Sequence, residues 1–423
     1  MEIKKDAALT RLIRKETDRQ QNTLDLIASE NIVSSAVRDI LGSPLGNKYA
    51  EGYPGKRYYP GCEYYDAIER LAQQRALRLF RLNPRSWTVN VQPYSGTPAN
   101  LAIYAALLDP GDTLMGLSLA HGGHLSHGHK ASLSGKWYRA VQYEVNPQSG
   151  RLDYSAIDRL ARTHRPRIIV SGASAYPRII DFKKMGAIAK RVGAYHLADI
   201  SHIAGLVAAG CHPAPFSASD AVITTTHKTL RGPRGAIIFS RTLPLRKKSG
   251  TTIAEAIDRA VFPGMQGGPH NATTAAMAQA FFEADTLAFR RYQNQVVANA
   301  RTLSHALMHR GFTIATGGTD NHLLLIDLKT LGGVRQDEPR GRAIEQSLEQ
   351  AGILVTRSAL PGDTSPYNPT GLRLGTPSLT TRGMKEKEME AIADVIARVV
   401  VRKELPRRVK KESQRLCKKF PVK

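Results

Sequence analysis

Short apolar runs alternate with helical periods through the middle of the chain. Residues 167–171 form a mainly apolar run, residues 182–192 carry apolar positions at helical spacing, and residues 196–199 form a second short run that ends in an aspartate. Apolar runs of this length, separated by helical segments, are typical of buried strands in a parallel sheet. The pattern therefore predicts an α/β fold with a mainly parallel central sheet and helices on both faces.

The pattern changes after about residue 283. A long helical stretch comes first, followed by an apolar strand at 322–328 and a helical period at 385–401. This order is typical of a smaller α+β unit. We therefore predict an N-terminal arm over residues 1–45, a large domain over 46–283 and a small C-terminal domain over 284–423.

Length and composition narrow the class of protein. A chain of 423 residues, 42% of them hydrophobic, can bury a substantial core. No apolar stretch is long enough to span a bilayer, and the charged N-terminus has no apolar signal region. Cys62, Cys211 and Cys417 are too few and too scattered for a disulfide framework or a zinc ribbon. We expect a soluble, cytoplasmic protein.

The charge is strongly positive, with 60 Lys and Arg against 36 Asp and Glu, a net charge of +24. Many of the cations lie in the tail: Arg402, Lys403, Arg407, Arg408, Lys410, Lys411, Arg415, Lys418, Lys419 and Lys423. Such a tail can bind nucleic acid or another polyanion, can attract a polyanionic substrate, or can be a solvated helix face. Aromatic residues are only 6% and do not alternate with the cations, so no base-stacking surface is predicted.

A lysine and an aspartate follow two of the predicted strands. Lys228 comes shortly after the apolar residues 221–223, and Asp199 ends the run at 196–199. Because the carboxyl ends of parallel strands meet at one edge of a sheet, we expect both side chains to face one cleft. The lysine can form a Schiff base with pyridoxal phosphate, and the acid can keep the ring nitrogen of that cofactor protonated. The chain has neither a dinucleotide-binding fingerprint nor a P-loop.

Two further segments carry candidate chemistry. Ser95, Gly96 and Thr97 precede a helical stretch, and the start of a helix suits a phosphate dianion. Residues 121–129 contain four histidines, which suggests a metal site at first sight. No carboxylate or cysteine accompanies them, and glycines interrupt the segment, so we predict no metal.

Several long motifs are specific enough to indicate a family. They are LIASEN at 26–31, NKYAEGYPGKRYY at 47–59, AHGGHL at 120–125, TTTHKTLRGPRG at 224–235, FPGMQGGP at 262–269, GGTDNH at 317–322 and LRLGTP at 372–377. Together they resemble the serine hydroxymethyltransferases over nearly the whole chain. The resemblance implies a fold-type-I, aspartate aminotransferase-like enzyme that uses pyridoxal 5'-phosphate to interconvert serine and glycine. Tetrahydrofolate is then the co-substrate, and two or four chains assemble so that neighbours share active sites.

The resemblance also implies roles for individual residues. The cofactor-binding positions are Lys228, Ser95, Gly96, Thr97, His124, Ser174, Asp199, His202, Tyr49, Gly264, Gly267 and Gly268, with His124 stacking on the ring. The catalytic positions are Lys228, Glu51, Asp199, His124, Tyr59 and Thr225, with Glu51 as the proton shuttle. The substrate positions are Arg373, Ser29, Tyr59 and Glu51, with Arg373 holding the carboxylate. The folate positions are Leu119, Gly123, Leu125 and Ser358. Tyr49, Glu51, Tyr59 and the glycine-rich loop are expected to come from the neighbouring chain.

Four positions depart from the pattern of the family. Ser358 stands where an asparagine touches the pterin, Tyr94 replaces a histidine, Pro98 a glutamine and Pro60 a glycine. The shorter Ser358 side chain keeps open a folate-independent aldolase or transaldolase acting on threonine-like β-hydroxy amino acids. The basic tail keeps open a polyanion-binding protein on a vestigial enzyme fold, although the intact site residues argue against decay.

Overall fold

The computed structural model describes residues 6–246, 250–331, 340–363 and 369–422. The strands in these ranges are β1 (Leu24–Asp25), β2 (Gly52–Tyr53), β3 (Lys56–Arg57), β4 (Trp87–Asn90), β5 (Thr113–Leu117), β6 (Arg139–Tyr143), β7 (Ile168–Ser171), β8 (Tyr195–Asp199), β9 (Ala221–Thr225), β10 (Ala236–Arg241), β11 (Thr313–Ile314), β12 (Leu323–Asp327), β13 (Ile353–Leu354), β14 (Thr356–Ser358) and β15 (Gly371–Gly375).

The α-helices in the same ranges are α1 (Ala7–Gln21), α2 (Ser35–Leu41), α3 (Glu63–Leu79), α4 (Gly96–Leu107), α5 (Leu133–Trp137), α6 (Tyr154–His164), α7 (Phe182–Arg191), α8 (Ala204–Ala209), α9 (Ile253–Arg259), α10 (Asn271–Ala284), α11 (Leu287–Met308), α12 (Arg340–Gln350), α13 (Pro377–Thr381), α14 (Glu386–Val400) and α15 (Pro406–Lys419). The strands predicted at 167–171, 196–199 and 322–328 correspond to β7, β8 and β12. The helices predicted at 182–192 and 385–401 correspond to α7 and α14.

A seven-stranded sheet organises the middle of the chain, in the order β4-β10-β9-β8-β7-β5-β6. Strands β6, β5, β7, β8 and β9 run parallel, whereas β10 pairs antiparallel with both β9 and β4. Neighbouring residues of one strand, such as Val222 and Ile223, belong to different buried clusters on opposite faces of the sheet. Burial on both faces explains why these strands read as continuous apolar runs. The predicted mainly parallel α/β fold is confirmed.

A four-stranded antiparallel sheet, β11-β12-β15-β14, forms with its own buried cluster later in the chain. Residues near the N-terminus join this part, because Leu24 in β1 pairs with Ile353 in β13. The predicted domain boundaries at residues 45 and 283 stay predictions, and residues 1–5 of the predicted arm lie outside the described residues. None of the described helices has the length and apolar character needed to cross a membrane. The cytoplasmic location also stays a prediction.

Candidate active site

A cavity of about 450 Å³ opens at the carboxyl ends of the parallel strands. It brings together eleven of the residues predicted from the sequence: Ser29, Ser95, Gly96, Thr97, His124, Ser174, Asp199, His202, Thr225, Lys228 and Arg373. They come from segments almost 350 residues apart in sequence, so the fold alone gathers them. The register of β8 and β9 explains how Asp199 and Thr225 come together: Asp199, the last residue of β8, pairs with Ile223 in β9, and β9 ends at Thr225.

Lys228 provides the amine of the cavity. Its Nζ donates a hydrogen bond to Oγ1 of Thr225, 3.0 Å away. Burial lowers the pKa of the Lys228 ammonium from 10.5 to about 8; Asp199 opposes this shift, and the positive charge of Arg373 adds to it. A lysine with this pKa carries a useful fraction of neutral, nucleophilic amine near neutral pH.

Asp199 is the buried carboxylate of the cavity. It accepts hydrogen bonds from His127 Nε2, Asn100 Nδ2 and the Ser201 backbone N–H, each 3.0 Å long. Burial alone would raise the pKa of Asp199, but the hydrogen bonds and charge of His127 hold it well below its ordinary value. Asp199 therefore stays ionised while enclosed by protein, which is what a partner for a protonated ring nitrogen requires.

His124 enters the cavity from a loop that is packed against the sheet. A side chain at Gly123 would overlap the carbonyl oxygen of Leu117, so only glycine fits there. The Ser126 backbone N–H donates to His124 Nδ1, 3.2 Å away, which leaves the proton on Nε2. Burial lowers the pKa of His124 to about 4, so its ring is neutral at physiological pH.

His202 lies beside a second buried histidine. Its Nδ1 is 3.3 Å from Nε2 of His322, and the two rings are stacked. Burial, with the positive charge of Lys228 next in size, holds the pKa of His202 well below its ordinary value. A neutral imidazole is therefore present at this wall of the cavity.

The predicted phosphate turn forms the start of α4. Ser95 is the N-cap residue of this helix, but its side chain makes no capping hydrogen bond. A Cβ at Gly96 would stand 2.9 Å from Thr225 Cγ2, so any other residue at this position would force the turn or the Thr225 side chain to shift. The hydroxyls of Ser95 and Thr97 and the first N–H groups of α4 are thus arranged as an anion site that faces the cavity.

Arg373 brings a guanidinium group to the cavity from β15. Its Nη1 donates to the backbone carbonyl of Ser174 (2.8 Å) and its Nε to Thr356 Oγ1 (3.2 Å). Burial lowers the pKa of Arg373 to about 10. No carboxylate of the described residues forms a salt bridge with it, and an enclosed guanidinium without such a partner is suited to a carboxylate ligand.

Several predicted site residues lie outside this cavity and form a cluster of their own. The rings of Tyr49 and Tyr59 are 5.1 Å apart. A Cβ at Gly267 would stand 3.1 Å from Glu51 Oε1, and one at Gly268 would stand 3.1 Å from a ring carbon of Tyr49. Gly264, in the same loop, lines a separate cavity together with residues such as Ala105 and Arg259. Within one chain, Glu51 and the tyrosines therefore lie beside the glycine-rich loop and not in the cavity that contains Lys228.

The four predicted folate residues also lie outside the cavity. Leu119 begins a short 3-10 helix, Gly123 is packed against β5, and Leu125 is 46% exposed. Ser358 ends β14, and its hydroxyl lies 3.4 Å from the carbonyl oxygen of Ala359. None of the four is among the residues that line the cavity around Lys228.

Sequence reasoning assigned no role to several residues that complete the site. His127 and Asn100 are the main ones, because both donate to Asp199. Asn100 comes one helical turn after Gly96, a spacing that places it on the cavity side of α4 and that could have been noticed. His127 could not be separated by sequence from the other histidines of its segment. Glu30, His227 and Arg234 also line the cavity.

The residues present fit pyridoxal phosphate. Three cations (Lys228, Arg234, Arg373) face the cavity against two carboxylates (Asp199, Glu30), which favours an anionic ligand. An amine of lowered pKa, an enclosed ionised carboxylate and an anion site at a helix start are the three features that this cofactor requires. Fold and cavity together define a pyridoxal phosphate-dependent enzyme of fold type I.

Comparison with known families identifies the family to which this chain belongs. The model of the serine hydroxymethyltransferase family matches residues 3–396, so the chain belongs to this family. The family converts serine and tetrahydrofolate reversibly to glycine and 5,10-methylenetetrahydrofolate with pyridoxal phosphate, and this activity is assigned to the chain. The match gives no support to a folate-independent aldolase or to a vestigial polyanion-binding protein.

Proposed function

We propose that the cavity around Lys228 is where this chain interconverts serine and glycine, and that a second copy of the chain completes it. The observation that carries the proposal is the convergence of Lys228, Asp199 and Arg373 on one cavity. An amine, an ionised carboxylate and a guanidinium without a carboxylate partner among the described residues suit a cofactor and an amino acid bound side by side.

Pyridoxal phosphate, when bound, supplies an electron sink for the negative charge that develops at the amino-acid Cα. Ser95, Gly96 and Thr97 would hold its phosphate, and Lys228 would hold its aldehyde. Asp199 would keep a proton on the ring nitrogen, since three hydrogen-bond donors keep this carboxylate ionised. The remaining predicted cofactor contacts in the cavity are His124, Ser174, His202 and Thr225.

Arg373 and Ser29 would orient the amino acid. A guanidinium can grip a carboxylate through two parallel hydrogen bonds, which fixes the position of Cα relative to the cavity wall. Glu51 from the second chain would move a proton to or from the hydroxymethyl group, and Tyr59 from the same chain would help to orient it. These groups act on an amino acid whose carboxylate is already held.

Replacing Arg373 tests this assignment. We expect Arg373→Ala to raise the KM for serine about 30-fold or more, because an enclosed carboxylate would lose its charged partner. Arg373→Lys should recover only part of this loss, since an ammonium cannot make the paired contact. Steady-state kinetics measure the serine KM of both variants, and cofactor titration checks that they still bind pyridoxal phosphate. An unchanged serine KM in both variants would contradict the role of Arg373 in binding the carboxylate. Arg162→Lys, on an exposed salt bridge with Asp158, is the control.

The second copy is inferred from what one chain leaves exposed. Tyr49, Tyr58, Tyr59 and Tyr64 are between 41% and 74% exposed, and they lie close to Glu51 in sequence. Helix α1 has no buried residue, although it carries exposed apolar side chains such as Leu12 and Ile13. Exposed apolar surfaces of this kind mark protein interfaces. A homodimer, alone or within a tetramer, would cover them and deliver Glu51, Tyr49, Tyr59 and the Gly264–Gly268 loop to the neighbouring cavity.

Mixing two inactive variants tests the shared site. Lys228→Ala and Glu51→Gln should each be inactive alone, because each damages both sites of a symmetric dimer. In a mixed dimer, one site carries both changes and the other carries neither. Random mixing of equal amounts should therefore restore about a quarter of the wild-type activity, since half of the dimers have one intact site of two.

The control is a mixture of Lys228→Ala with Asp199→Asn, two changes in the same cavity of one chain. This mixture should gain no activity beyond the residual activity of its two components, since every site of every mixed dimer then carries one damaged residue. No activity in the first mixture, after subunit exchange is verified, would show that each chain holds a complete site. Activity in the control mixture would show that Lys228 and Asp199 do not act in the same cavity of one chain.

The folate site is proposed at Leu119, Gly123, Leu125 and Ser358. The supporting feature is Leu125, an apolar side chain 46% exposed on the loop that carries His124 into the cavity. We expect Leu125→Ala to raise the KM for tetrahydrofolate about tenfold or more, because burying a leucine against a ligand contributes roughly 1.5–3 kcal/mol. The KM for serine should stay unchanged.

Leu405→Ala is the matched control, since Leu405 is also 46% exposed but lies at the start of α15. Initial rates with both substrates varied measure the two constants. A rate of serine turnover that does not depend on the tetrahydrofolate concentration would contradict the proposed function itself. An unchanged folate KM in Leu125→Ala would contradict only the assignment of this residue.

A further inference from the structure

Helix α15 carries a concentration of positive charge that the enzymatic site does not use. Seven of its 14 residues are cations: Arg407, Arg408, Lys410, Lys411, Arg415, Lys418 and Lys419. Its one acid, Glu412, bonds to Arg398 of α14 at 2.6 Å, and Arg398 also holds the nearby Glu404 at 2.9 Å. The acids next to the helix are therefore already neutralised by a residue outside it.

The charges of α15 lie on one exposed face. Val409, Ser413 and Cys417 are buried at a spacing of four, so this stripe packs against the protein. Arg407, Lys411 and Arg415 repeat with the same spacing on the exposed side, and Lys418 extends the row. At about 1.5 Å per residue, the row from Arg407 to Lys418 is about 16 Å long.

These cations have few partners within the protein. Lys419 lies 3.6 Å from Glu388 and forms a salt bridge with it. The other six cations of the helix form no salt bridge with any residue that the structure describes. Aligned cations without counter-charges create a local positive potential, in a molecule whose net charge is already +24.

The form of the helix indicates the class of partner. Membrane-binding amphipathic helices insert an apolar face into the lipid, but the apolar stripe of α15 is already buried in the fold. Binding of single-stranded nucleic acid relies on exposed aromatic rings, and α15 contains none. A row of cations alone suits the phosphate backbone of a duplex, which needs charge but no stacking.

We propose that the exposed face of α15 binds the phosphate backbone of a nucleic-acid duplex without reading its base sequence. This is a second function beside the enzymatic one, and it does not depend on the proposed roles of the cavity residues. The cations of the row replace condensed counterions of the duplex, so binding weakens as salt rises.

The test uses the full-length protein, cofactor-loaded, and a fluorescent 20-base-pair duplex. Arg407→Gln/Lys411→Gln/Arg415→Gln removes three aligned charges, and Arg159→Gln/Lys183→Gln/Lys190→Gln removes three exposed charges from α6 and α7 as the matched control. The dependence of log K on log salt should become shallower by about 2.7 in the α15 variant, because each phosphate contact contributes about 0.9. Its affinity at fixed salt should fall at least about tenfold.

Serine turnover at the wild-type rate in both variants verifies that they are folded. Equal losses in the α15 variant and the control would overturn the proposal, since binding would then follow net charge alone. Unchanged duplex affinity of the α15 variant would also overturn it. So would a wild-type protein that binds vesicles of anionic lipid through α15 but not the duplex, because the partner would then be a membrane surface. Tighter binding to single-stranded RNA than to the duplex would also overturn the proposal, because the preferred partner would then be a single strand.

Discussion

Replacing Lys228 with alanine is expected to abolish multiple turnovers, with a fall in kcat of about 10³-fold or more, the scale for losing a covalent and proton-transfer group. The physical reason is that no other described amine lines the cavity with Lys228. Its lowered pKa, its hydrogen bond to Thr225 and its position after β9 cannot be supplied by another residue. The visible absorption of the lysine-linked cofactor should disappear in the same variant.

Lys184→Ala is the control for this experiment. Lys184 lies on α7 in an exposed contact with Asp181, so the same substitution removes a lysine that the cavity does not use. It should keep both the absorption band and the turnover rate. A Lys228→Ala protein that is folded and still performs many turnovers would reject Lys228 as the covalent residue.

Replacing Asp199 with asparagine is expected to produce the next largest loss, about 10²-fold or more in kcat/KM. The substitution keeps the size of the side chain but removes the negative charge that would face the ring nitrogen of the bound cofactor. It also leaves His127 Nε2 without a charged acceptor in a buried position. Kinetics with serine and titration with the cofactor would separate weaker cofactor binding from a slower chemical step.

Asp158→Asn supplies the comparison, since Asp158 forms salt bridges with Arg162 and Arg191 at the edge of α6. We expect near wild-type kinetics from it. If Asp199→Asn also retained wild-type kcat/KM, then the buried carboxylate would serve only to hold His127 and Asn100 in place.

The histidines at 121–129 illustrate where sequence reasoning stops. Their spacing gave four equivalent candidates, yet the structure gives them different surroundings. His124 lines the cavity, His127 is buried against Asp199, and His129 accepts a bond from the Ala131 backbone in an exposed turn. These histidines differ in burial and in contacts with residues distant in sequence. Neither property can be read from their spacing along the chain.

The predicted roles of Glu51, Tyr49 and Tyr59 illustrate a second limit. Their motif is specific, and the family resemblance is confirmed, but one folded chain keeps them apart from Lys228. Whether they meet the cavity depends on how two copies associate. That geometry follows from surfaces formed only after folding, so their contribution stays a prediction until the mixed-dimer experiment is done.

The sequence by itself determined the sheet, the cofactor class and the family of this protein. It did so because buried parallel strands have a continuous apolar signature and because chemistry at their carboxyl ends falls on one edge. Only the tertiary structure decided that His127 and Asn100 hold Asp199 ionised, that Arg373 lacks a carboxylate partner among the described residues, and that the cations of α15 share an exposed face. These properties depend on distances between distant segments and on which face of a helix is buried, and packing alone sets both.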